Sequence, residues 1–159
     1  MGKYSTPGKS EVHWVDTIGD PTAPEAAELN AGTTLTDDTP SMPTLPRNAN
    51  TVDVAVLASK YEARQVGTRG GDLLSLRLLR DDTSEAALTA VAEDNAGFLV
   101  IARKGLATPG TFTIGDEVDI YPSEIASNAD GTPGRNEADF IEIQMVATED
   151  PTRRFQLVA

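Results

Sequence analysis

Three segments, Phe98–Gly105, Gly115–Pro122 and Phe140–Ala147, are short, apolar or alternating, and parted by stretches rich in Gly, Pro and Asn. A strand shows successive side chains to opposite faces, whereas a helix repeats its apolar face every three or four residues. These segments follow the first rule, so they constrain the chain to a β scaffold. Phe98 to Ala102 is nearly all apolar, as in a strand covered on both sides. Val118 and Ile120 alternate with Glu117 and Asp119, and Ile141, Ile143 and Met145 alternate with Glu142 and Gln144, which predicts strands with one wet face. Phe155 and Leu157 close the chain.

Upstream, Val52, Val54 and Val56 alternate with Thr51, Asp53 and Ala55, and a second strand is predicted over 60–65. Val66–Asp72 carries three glycines and reads as a turn; Gly70-Gly71 is followed by Asp72 and lacks the order of a phosphate loop. Leu74, Leu76 and Leu78 then share one face of a further strand. One amphipathic helix is predicted near 84–95, with cap candidates at Asp82–Glu85, a stripe of Ala86, Ala87, Leu88, Val91 and Ala92, and a stop at Asn95-Ala96-Gly97.

Residues 1–50 read differently. They are rich in Pro, Thr, Gly, Asn and Asp, with an apolar cluster at Val12, Trp14, Val15 and Ile18 and one or two helical turns expected near Pro24–Gly32, capped by Thr22. Asp37–Asn48 holds Pro40, Pro43 and Pro46, which oppose both helix and central strand, so a long exposed loop is expected. The division is therefore an N-terminal arm and Pro-rich loop over 1–50 and a β domain over 51–159. At 159 residues, one domain with an arm fits the usual scale of roughly 100 to 200 residues per domain.

Charge and composition exclude several functions. With 13 basic against 25 acidic side chains the formal charge is −12, most of it after residue 83, and such a field repels nucleic acid and anionic membranes. No cysteine is present, which removes thiolate chemistry and disulfides. No run approaches the ~20 apolar residues of a spanning helix, and no signal peptide is apparent, so a soluble protein made in the cytoplasm is expected. His13 is the only histidine and lies beside Trp14, where packing or an interface contact outweighs catalysis. Asn128–Gly131 echoes the start of a calcium loop but lacks the acid at its twelfth position. No cofactor, metal site or enzymatic activity is expected.

The stretch His13–Pro21 with Pro24–Thr33, and later Val100–Gly105 and Gly115–Pro122, resembles major tail proteins, the tail tube proteins of long-tailed actinobacterial siphophages. The resemblance implies a mainly β tail-tube-type sandwich or barrel with one helix, an extended N-terminal arm and a long loop. It implies a virion structural protein made in the host cytoplasm, whose homohexameric rings stack into the tail tube that conducts double-stranded DNA during ejection. Its implied partners are other copies of itself and the tape measure, tail tip and tail terminator proteins, with DNA passing unbound and no membrane contact. On that plan Asp116, Glu117, Asp119, Glu142 and Gln144, on expected exposed strand faces, are candidates for the lumen wall. His13, Trp14, Ile18, Leu29, Met42 and Leu45 are candidates for ring stacking or other interfaces. The competing readings are a monomeric β-sandwich ligand-binding or adhesion module and, third, a metal-dependent hydrolase, both disfavoured by an aromatic content of 5%.

Overall fold

The computed structural model describes residues 9–54, 64–70, 73–80 and 85–158. Nine strands occur there: β1 (Glu11–Val15), β2 (Thr33–Thr34), β3 (Asn48–Asp53), β4 (Arg64–Gly70), β5 (Leu74–Leu79), β6 (Ala96–Ala102), β7 (Glu117–Asp130), β8 (Phe140–Ala147) and β9 (Thr152–Gln156). Two short helices, α1 (Ala26–Asn30) and α2 (Glu85–Ala90), and a 3-10 turn at Thr36–Asp38 complete them. The molecule is mainly β, as expected. Seven strands form one antiparallel sheet in the order β2-β1-β6-β7-β8-β5, with β9 pairing β7, while β3 and β4 form a separate two-stranded sheet.

Alternation in β5 and β8 sets the main core. Leu74, Leu76 and Leu78 stand opposite Met145, Ile143 and Ile141, all buried, while Ser75, Arg77, Glu142 and Gln144 face outward. Full burial of one such side chain is worth about 1.5 to 3 kcal/mol, so this pair of strands anchors the fold. The same cluster takes in Val12 and Trp14 of β1, Leu99 and Ile101 of β6, and Ala87 and Val91 from the α2 region. A second cluster on the other face joins Val15, Ile18, Leu29, Val100, Phe112, Val118, Ile120 and Leu157. Cover on both faces explains why β6 is almost wholly apolar.

Strand β7 runs farther than its sequence suggests. It continues through Pro122 and through Asn128–Asp130, the stretch that echoes a calcium loop, and its register shifts between Ile125 and Ser127. The bulge lets one long strand bend between partners. On one side β7 pairs β9 up to Ile120 and β8 from Ser123 onward. Pro122 sits at this handover, where its carbonyl accepts the Thr148 N–H at 3.0 Å. A residue's N and O point to the same side of a strand, so the missing donor faces the β8–β9 turn and costs the β6 ladder nothing.

The N-terminal division is corrected. β1 lies between β2 and β6, and all five of its residues are buried, so residues 11–15 are a central strand and not part of an arm. Glycine makes this fit possible: a Cβ on Gly97 would stand 2.8 Å from Cζ2 of Trp14 and 2.9 Å from the Val15 carbonyl oxygen. The Pro-rich segment is corrected as well. Thr44 bridges Ser75 on the outer edge of β5 through two backbone hydrogen bonds of 2.9 and 3.0 Å, Pro43 is buried, and Met42 and Leu45 pack on the main core. Three prolines keep the segment out of the regular ladder but do not keep it off the body.

Smaller corrections follow the same logic. Helix α1 begins after Glu25, whose N–H is accepted by Glu28 at 3.2 Å, while Thr22 donates to Asp20 and caps nothing. Val66–Gly70 belongs to strand β4 and is not a turn. Most of the strand predicted over 60–65 and the caps at Asp82–Ser84 lie outside the described residues.

Candidate assembly surfaces

Two of the acids expected on a wet face are instead drawn inward. Asp116 and Asp119 are 7% and 5% exposed. Asp116 accepts the Ala107 N–H at 3.1 Å on one oxygen, and the Thr113 N–H and hydroxyl at 2.8 and 3.0 Å on the other. Its carboxylate clasps the loop before β7, with Gly115 at φ +96° making the preceding turn possible. Asp119 accepts Nε of Arg103 at 3.1 Å and the Arg154 N–H at 2.7 Å, tying β6 to β9 across β7. The exposure expected of these two is thereby corrected: backbone donors and one guanidinium consume their lone pairs, so neither presents charge to a lumen. Glu117 is partly exposed and ion-paired to Lys104 at 2.9 Å.

The arm candidates are inward too. His13, Trp14, Ile18 and Leu29 are 3%, 1%, 6% and 0% exposed, so they build the core and are not available for stacking. Trp14 donates its indole N–H to Asp16 at 3.0 Å. The His13 ring meets Phe112 edge-on with centroids 4.7 Å apart, its Nε2 is 3.5 Å from Glu11, and burial pushes its pKa below the ordinary value while Glu11 pulls the other way. Phe112 is held by Asn30 through hydrogen bonds of 3.0 and 2.7 Å, and Glu11 accepts the Gly110 N–H at 3.0 Å. Met42 and Leu45 are only half-buried.

Two outward surfaces remain. On the limb of β5, β8 and β7, register sets Ser75, Gln144 and Ser127 in one row and Arg77, Glu142 and Ala129 in the next. Arg77 bonds Glu142 at 3.0 Å and lies 4.0 Å over the Phe140 ring. Glu142 and Gln144, alone among the acids and amides considered, are on a broad exposed sheet face, as expected. The second surface is the β3–β4 hairpin, which among the described residues pairs with no strand of the main sheet and leaves Val52 at 51% and Val66 at 62% exposed. The sequence named part of β3 as a strand but gave the hairpin no role; Val52, opposite Gln65, and Val66, opposite Thr51, stand on opposite faces of it. Among the described residues no group of three or more potential ligands could hold a metal, and no helix is long and apolar enough to cross a membrane.

Residues 1–159 match the family model described as phage tail tube protein. The chain belongs to that family. This tail tube protein also resembles, in fold, a chain of the cryo-EM structure of the anti-feeding prophage baseplate, 6-fold symmetrised. The TM-score is 0.58 with 95% of each chain covered, and the identity of 10% makes that a likeness of fold alone. Comparison with curated proteins gave no sequence match. The chain is thus a structural component of the phage tail.

Proposed function

We propose that six copies of this tail tube protein close into a ring and that rings stack into a hollow tube conducting double-stranded DNA during ejection. The observation that carries this reading is the β3–β4 hairpin, which pairs with no strand of the main sheet among the described residues and leaves Val52 and Val66 exposed. In the tube the hairpin reaches a neighbouring subunit, and the incompletely paired sheet edges at β2 and β9 are covered by others. The six-fold symmetrised baseplate that holds the similar fold supports the ring order chosen.

Charge supports conduction. A formal −12 per copy makes a tube that repels phosphate, so DNA slides without being held. Glu142 and Gln144 on the outward face of β8, with Glu117 at the start of β7, are the remaining lumen candidates. Subunits are made in the host cytoplasm and meet the tape measure, tip and terminator proteins as the tail grows. Negative-stain electron microscopy of the purified protein over a concentration series tests the reading. Rings or hollow tubes are expected, while monomers at every concentration favour the ligand-binding module.

A further inference from the structure

One cleft gathers basic side chains from four separate parts of the chain. Arg47 arrives from the Pro-rich segment, Arg69 from β4, Arg103 from just after β6 and Arg153 from β9, and with Tyr121 and Thr148 they line a cavity of about 590 Å³. Four of the chain's 13 basic residues thus meet in one concavity of a molecule whose net charge is −12. Internal compensation is partial, with Glu149 and Asp150 lining the same cleft as the four arginines. Arg103 is paired with Asp119 at 3.1 Å, but Arg47 reaches Asp150 only at 3.8 Å, and that carboxylate side chain is 86% exposed. Arg69 and Arg153 are exposed, and no acid among the described residues stands within ion-pair distance of either. Concave walls focus such a field, and guanidinium forks match carboxylates in both shape and charge.

The complementary surface is on the same chain but cannot reach the cleft. Glu93 and Asp94, in the turn between α2 and β6, and Glu124, across from Ala96 on β7, are exposed and carry no ion pair among the described residues. Tyr121 and Glu124 are three positions apart on β7, so they point to opposite faces of that strand. Resting on the tube reading above, we propose that the arginine cleft is a docking site for the Glu93, Asp94 and Glu124 surface of a second copy. The contact joins two different surfaces, so it propagates from copy to copy and does not stop at a pair.

A charge swap tests it on the full chain. Arg69→Glu with Arg153→Glu makes one variant, and Glu93→Arg with Asp94→Arg makes the other; assembly is followed by sedimentation and electron microscopy. Each variant alone is expected to keep the wild-type melting temperature and to raise the critical concentration for assembly by about tenfold or more. An equimolar mixture is expected to assemble again, because each reversed cleft then meets a reversed acidic surface. Wild-type assembly by either variant alone, or a mixture no better than its parts, overturns the proposal while leaving the tube intact. Binding of a fluorescent DNA duplex that disappears in the arginine variant would overturn it by assigning the cleft to phosphate. Wild-type protein that never assembles would remove the tube reading, and the cleft contact with it.

Discussion

Asp119 shows how a carboxylate that looks solvent-facing becomes structural. Alternation with Val118 and Ile120 was legible in the sequence, but the arrival of Arg103 and the Arg154 N–H was not, since these lie 16 and 35 positions away. Asp119→Ala should lower stability by about 1 to 3 kcal/mol, because a backbone donor and a guanidinium lose their acceptor; urea unfolding measures this, and an unchanged midpoint would sink the account. His13 offers a pH test. Burial holds its folded pKa below the ordinary 6.5, so the unfolded chain takes up a proton first as the pH falls. Stability from this group is full above 6.5, declines below it, and levels off beneath the folded value. His13→Gln should flatten that part of the profile, read by thermal melting across about pH 5 to 8. A profile identical to wild type would assign the acid sensitivity elsewhere.

Among the elements, β5, β6 and β8 were readable because their environment is uniform along their length: leucines or isoleucines on one face, or apolar cover on both. β1 was not, because Glu11 and His13 interrupt its apolar pattern and turn-rich sequence surrounds it. Burial of polar side chains is permitted there by Gly110 and Phe112, partners remote in sequence. Deleting residues 1–35 should therefore abolish folding, since it removes β1 and β2 together and takes Val12 and Trp14 out of the main core; a truncated chain with native circular dichroism and a cooperative melt would refute this. The hairpin behaves in the opposite way. Val52→Ser with Val66→Ser should change stability by no more than about 0.5 kcal/mol, as for other exposed positions, yet reduce assembly seen by electron microscopy. Normal tubes from that variant would remove the hairpin from the subunit contacts.

For the whole molecule, the mainly β fold class was legible in patterning and the acidic balance in composition, while the distribution of that charge was not. Folding buries Asp116 and Asp119, pairs Glu117 and Glu142 with cations, and leaves four arginines converging from positions 47 to 153. No linear reading exposes such a convergence, because it depends on sheet order. Glu142→Lys places a cation on the broad polar sheet face without touching the core. Particles that carry it should form tails of normal length but eject DNA more slowly, measured by dye release after triggering. Normal ejection from such particles would put this face on the outside of the tube.

Thr44 occupies the backbone of Ser75 at the margin of β5. An open margin would let any passing strand add on, and copies meeting in solution would then clump at random. With that point of the margin taken by the chain's own proline-studded segment, a foreign strand finds no free backbone at Ser75 to pair with, and on the tube reading a free copy would be kept from joining others by this route.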